Sequence, residues 1–237
     1  MIARRVRSTA FGILTIAACV VLARPDVAFA QDEVRRQIWL DYNPRVIWQS
    51  AFEAYGDIGV RTELNSTGWT RFVVRPGVRG PVGRFRLGGG LGTFYTANDV
   101  AANTLEFRPF QGINWTWPSG RIPLDHYVRL EERFDFETAD WNLDFSSRVR
   151  YRLQTEFRWS AVQSGAHWRL VGHAEGFLTF IGDADEKFRF GVGVERAFVS
   201  NARVRLDLTW QVVGAPFSGA PTDEFYIRLR VYQRWAR

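Results

Sequence analysis

The chain has 237 residues, 31 Lys and Arg against 25 Asp and Glu, a formal charge of +6 at pH 7 and one cysteine, Cys19. A lone cysteine excludes an internal disulfide framework and a cysteine-based metal site. Part of the basic excess lies in the first 30 residues: without Arg4, Arg5, Arg7, Arg24 and Asp26 the balance is 27 against 24, or +3, so charge is a poor argument for nucleic-acid binding.

The chain opens with a basic start, Met1 to Arg7, an apolar run from Ala10 to Leu22, and a small-x-small end at Ala28 and Ala30. That order reads as a secretory signal peptide over residues 1–30, cut before Gln31. A lipoprotein reading competes, because Ile16-Ala-Ala-Cys19 resembles a cleavage box that would make Cys19 the lipidated first residue. The apolar run continues past Cys19 and a conventional cleavage site follows, which favours the signal peptide. No later stretch offers the roughly 20 apolar residues of a helical span. Residues 31–237 then form one domain.

From there a two-residue period recurs in segment after segment. It predicts ten strands, at about 46–63, 69–80, 84–96, 102–117, 122–137, 141–159, 167–181, 187–198, 201–213 and 223–235. In the clearest, Trp141, Leu143, Phe145, Ser147, Val149, Tyr151, Leu153, Thr155, Phe157 and Trp159 oppose Asn142, Asp144, Ser146, Arg148, Arg150, Arg152, Gln154, Glu156 and Arg158. A helix would smear these sets around its circumference; a strand separates them. Gly, Pro, Asn, Asp and Ser clusters divide the segments and supply turns.

The expected fold is all-β, an antiparallel transmembrane β-barrel of ten strands. An even number puts both termini on the periplasmic side. The segment Gln37 to Asn43, before Pro44, is an extra candidate strand; if it pairs, another segment must split and the total becomes twelve, odd totals being discounted.

Alternation alone does not distinguish a membrane barrel from a soluble one, since only the sense of the apolar face differs. The export signal, strands of membrane-crossing length and aromatics near strand ends (Trp48, Trp69, Trp115, Trp117, Trp141, Trp159, Trp168, Trp210 and Trp235) favour the membrane. The expected location is the outer membrane of a Gram-negative bacterium, with its lipids as partners. A periplasmic or secreted soluble barrel or sandwich is the alternative.

The segments Leu105-Glu-Phe-Arg-Pro-Phe-Gln-Gly112, Tyr127-Val-Arg-Leu-Glu-Glu-Arg-Phe134 and Arg148-Val-Arg-Tyr-Arg-Leu153, with Gly88-Gly-Gly-Leu-Gly92 before Phe94-Tyr95 and the run Arg71 to Gly77, resemble the DUF2490 family. The resemblance covers nearly all of residues 31–237. It implies an outer-membrane β-barrel and supplies no activity, because the family consists of uncharacterised bacterial proteins.

The expected lumenal face carries Glu53, Asp57, Arg61, Arg71, Arg75, Arg84, Arg86, Glu106, Arg108, Arg129, Glu131, Arg133, Arg148, Arg150, Arg152, Glu156, Arg169, Glu175, Arg203, Arg205, Arg228 and Arg230. Arginine dominates over lysine, which suits bidentate pairing in a confined interior. Two functions are open: a narrow channel for small anionic or polar solutes, or a non-conducting structural or interaction barrel whose lumen is filled by Arg–Glu pairs.

Gly88 to Gly92 lacks the Lys-Ser/Thr of a phosphate loop and reads as room for large inner arginines or as sharp curvature of the wall. His126, His167 and His173, with Ser146, Ser147 and Ser164 as candidate hydroxyls, show no spacing that certifies a hydrolase, so no catalytic residue, metal or cofactor is expected. Charges and aromatics fall on opposite faces, which argues against a single-strand nucleic-acid groove.

Overall fold

The computed structural model describes residues 34–48, 51–64, 68–117, 122–160, 167–182, 186–199, 201–214 and 222–236. The expected signal peptide, the Cys19 alternative and the turn at Pro118 to Gly120 lie outside them.

Eleven strands close into one barrel: β1 Arg35–Ile47, β2 Glu53–Glu63, β3 Trp69–Val82, β4 Phe85–Asn98, β5 Thr104–Trp117, β6 Leu124–Glu137, β7 Leu143–Ser160, β8 His167–Ile181, β9 Lys187–Val199, β10 Ala202–Val213 and β11 Thr222–Ala236. Sequence neighbours pair antiparallel around the ring. The closing pair, β1 with β11, is parallel, in register from Arg35↔Glu224 to Ile47↔Ala236. The all-antiparallel, even-numbered expectation is therefore corrected.

The reason lies at the first expected strand. Residues 46–63 are the end of β1, a connection at 48–52 and then β2. Ala51 adopts a left-handed φ of 62° there, and the Ala51 amide donates to the Trp48 carbonyl at 2.9 Å. The segment Gln37 to Asn43 does pair, and no other segment splits to restore an even total. The start of β1 and the end of β11 consequently sit at opposite rims, called here the first and second rim. The remaining nine strands match their expected ranges within two residues at each end.

Prolines sit inside three strands without shifting register. The ladder skips two residue pairs at Pro44 (between Tyr42↔Ile58 and Arg45↔Tyr55), two at Pro76 and two at Pro109, and resumes in the same phase each time. A missing N–H is tolerated where the ladder opens. Gly83, at φ +58°, makes the two-residue turn between β3 and β4.

The two faces of the wall are opposite in character. Outward residues are apolar and exposed, as in Ile38 and Leu40 of β1, Phe72 and Val74 of β3, Phe190 and Val192 of β9, Leu206 and Leu208 of β10, and Ile227 and Leu229 of β11. Gln111 and Glu132 are polar interruptions of this belt. Inward residues are buried although charged: Asp41, Glu53, Asp57, Glu106, Arg108, Arg129, Glu131, Arg148, Glu175, Glu195, Arg205, Asp207 and Arg230. A water-soluble globule has the reverse arrangement.

Candidate functional site

Eleven strands spaced about 4.8 Å apart and tilted by about 40° enclose a ring of about 11 Å backbone radius, so long side chains from facing walls meet near the axis. Burying charge there is unfavourable unless each charge finds an opposite one with good geometry. In the first-rim half and the middle of the barrel most arginines meet it by sharing six carboxylates.

Glu106 on β5, 2 % exposed, accepts from Arg108 Nε at 2.8 Å and from Arg133 Nε at 2.7 Å, while Arg108 Nη2 closes a fork on its other oxygen at 2.7 Å. Glu131 on β6, fully buried, accepts from Arg148 Nε at 2.7 Å and Arg108 Nη1 at 3.4 Å and contacts Arg129. Asp57 holds Arg75 through two bonds of 2.8 and 2.7 Å. Asp41 accepts from Arg228 at 2.5 Å, with Arg61 at 3.9 Å. Asp207 accepts from Arg205 at 2.7 Å and Arg230 at 2.9 Å. Glu175 accepts from Arg150 at 2.5 Å, with Arg189 3.5 Å away. Arg71 donates to the Thr96 hydroxyl at 2.7 Å.

Aromatic rings complete this plug. Trp39 and Tyr226 stack 3.9 Å apart, with Arg61 4.1 Å above Trp39. Arg108 lies 4.2 Å over Phe94, Arg129 5.0 Å over Phe110 and Arg189 4.6 Å over Phe177. Guanidinium on an aromatic face adds attraction that grows as water leaves. These rings face inward beside the arginines, so the expected division of charges and aromatics between two faces does not hold.

Glycines make the room. A Cβ on Gly92 would sit 2.7 Å from the Phe94 ring, and one on Gly88 2.6 Å from the Cβ of Arg79. The inner glycines of Gly88 to Gly92 therefore accommodate bulky inner side chains, as the sequence suggested.

Towards the second rim the lumen opens. Two cavities of about 790 and 400 Å³ share Arg45, Arg79, Arg86, Arg203 and Tyr232, and form one vestibule. A third of about 140 Å³, among Arg75, Arg129, Arg150, Arg228 and Arg230, marks its floor. Glu106, Arg108, Glu131, Arg133 and Arg148 line none of the three. Glu53 anchors the vestibule wall through Arg79 at 2.8 Å and Arg86 at 3.1 Å. Arg152, Glu156 and Arg169 line it as well.

Of the residues expected inside, Arg84 is misplaced. It lies exposed in the β3–β4 turn, its guanidinium 4.9 Å from the Phe85 ring. Trp69 shares the inward parity of Arg71 and Arg75, with Arg71 5.2 Å from its ring, and so does not belong to an outer girdle. Gln37, Trp39 and Asp41 on β1 were not among the residues expected inside, although the segment was a candidate strand and their alternation with Ile38, Leu40 and Tyr42 carried the signal. His126 points outward, stacked 4.8 Å from Trp115 with Nδ1 2.8 Å from the Tyr151 hydroxyl. His173 faces the lumen beside Glu175, and among the described residues no hydrogen bond joins a histidine to a serine.

Comparison with known families now bears on this arrangement. A family described as a protein of unknown function, DUF2490, matches residues 36–216, from β1 to just beyond β10. The chain belongs to the DUF2490 family. No curated protein and no solved structure matches it. The DUF2490 match covers Glu106, Arg108, Glu131 and Arg148 of the plug and most of the vestibule wall; β11, with Tyr226, Arg228, Arg230 and Tyr232, lies outside the matched range.

Proposed function

We propose that this DUF2490 barrel is an outer-membrane protein whose apolar belt meets lipid, and that it serves as a non-conducting structural or interaction barrel. The outward side chains support the first half. Apolar patches larger than a few hundred Å² mark membrane or partner surfaces on soluble chains, and here such residues encircle the wall. The shortest strand, 11 residues, rises about 28 Å when tilted by about 40°, close to the height of a hydrocarbon layer. Trp115, Trp117 and Trp235 near the second rim and Trp141 and Trp210 near the first suit interfacial girdles.

The observation that carries the non-conducting half is the connected set of Arg108, Glu106, Glu131, Arg148 and the Trp39–Tyr226 stack across the first-rim half. An ion crossing this layer would have to displace paired charges at several kcal/mol each. This favours the plugged barrel over the narrow channel for small anionic or polar solutes that the arginine-rich face also raised. Purified barrel in planar lipid bilayers tests it. Silence across voltage and salt is expected; discrete, anion-selective steps would refute the plug and restore the channel.

A further inference from the structure

The vestibule at the second rim is built differently from the plug. Nine arginines line its two cavities; Arg205 and Arg230 are held by Asp207 below, which leaves seven against four carboxylates, Glu53, Asp125, Glu156 and Glu195. Glu53 is shared by Arg79 at 2.8 Å, Arg86 at 3.1 Å and Arg45 at 3.6 Å, and Glu195 by Arg203 at 3.1 Å and Arg169 at 3.5 Å. Among the described residues Arg152 and Arg234 contact no carboxylate. Asn43 Nδ2 and Arg86 Nε are buried donors without an acceptor, on residues that line the same space. In the plug the guanidiniums are packed onto shared carboxylates and aromatic faces with no open volume between them; in the vestibule surplus positive charge faces a space the size of a small-ligand pocket.

One edge of this vestibule lies between β9 and β10. β9 and β10 are joined by residues 200–201 alone, and Phe198 and Asn201 line the larger cavity. Phe198 is 58 % exposed on the outer, apolar face, with Arg196 5.0 Å from its ring. The cationic interior and the oily exterior thus meet over a single lip.

We propose that the vestibule is a binding site for a phosphate-bearing anion of two or more negative charges, with the β9–β10 lip admitting a lipid headgroup whose acyl chains remain on the outer belt. Guanidinium forks arriving from β1, β3, β4, β7 and β10 match the several oxygens of a phosphate, which accept bidentate bonds. Charge excess selects against cations and neutral sugars. The proposal rests on the blind-barrel reading; binding in micelles is scored without reference to conductance, so either can fail alone.

The test is titration calorimetry on the folded barrel in zwitterionic micelles. Inorganic pyrophosphate is one probe, and micelles doped with phosphatidic acid, against diacylglycerol as the phosphate-free match, are the other. Saturable binding of both probes that weakens steeply with salt is expected. Arg152→Gln and Arg234→Gln, which strand no carboxylate, should each weaken it about tenfold, the loss of one charge-assisted hydrogen bond. Arg84→Gln, at the same rim but outside the lumen, should leave it within about twofold. Binding of phosphatidic acid alone assigns the site to a lipid source, and binding of pyrophosphate alone overturns the lip. Binding of neither, or affinity indifferent to salt in the unaltered protein, overturns the site.

Discussion

Replacing Glu131 by glutamine removes one negative charge from the centre of the plug without changing its volume. Arg108 keeps Glu106, whereas among the described residues Arg129 and Arg148 have Glu131 as their only carboxylate contact and are left over Phe110 and Phe177, each 5.0 Å away. Breaking a buried pair by removing one partner costs about 3–5 kcal/mol, because the remaining charge is neither solvated nor paired. With a urea dependence of about 2–3 kcal/mol per molar, the unfolding midpoint should fall by about 1.5 M. Circular dichroism of the folded barrel in micelles reads this directly. Adding Arg148→Met should recover part of the loss, with a coupling of about 1–3 kcal/mol in a double-mutant cycle. If Glu131→Gln moved the midpoint no more than Asp99→Asn, an exposed loop substitution expected within about 0.5 kcal/mol, the plug would not be a connected ion-pair network.

Three further outcomes are expected. Arg108→Lys should destabilise the barrel by about 2 kcal/mol in the same urea assay, since an ammonium cannot fork Glu106 and reach Glu131 while lying on Phe94; an unchanged midpoint would mean that charge alone suffices. Leu208→Arg, on the outward face and 54 % exposed, should cost about 2–4 kcal/mol in lipid vesicles if the belt is membrane-embedded, while a water-exposed position would tolerate it. For closure, cysteines at Leu40 and Leu229, which face each other across the parallel seam, should be joined by a short bifunctional thiol reagent; failure to join them would contradict the eleven-strand ring.

The fold was legible in the sequence wherever two faces differ in polarity over ten residues or more. The run from Leu143 to Phe157 shows this: charge inside and apolar outside leave only one phase for a strand. β1 was legible only as a short candidate ending before Pro44, because proline removes a ladder donor and its continuation to Ile47 depends on the partner strands β2 and β11. The strand number followed from that single segment, and with it the parallel seam. Parity grouped Glu106, Arg108, Glu131 and Arg148 on one face, and all four are buried. Arg84 failed because parity carries no information across a turn only two residues long. The inward rings Phe94, Phe110 and Phe177 were hidden because an aromatic on an arginine face breaks the simple alternation. The division between plug and vestibule was not legible at all. It depends on which carboxylate reaches which guanidinium across the barrel, as Glu53 does for arginines of β1, β3 and β4.

The most direct measurement of which face meets lipid uses a fluorophore on single cysteines, in a chain whose only native cysteine, Cys19, is serine. Probes at Phe145→Cys, Leu208→Cys and Leu229→Cys should be quenched by brominated acyl chains in vesicles and shielded from iodide in the buffer. A probe at Arg84→Cys should behave oppositely. Iodide quenching at the three wall positions equal to that at Arg84, with no effect of the brominated lipid, would contradict the account.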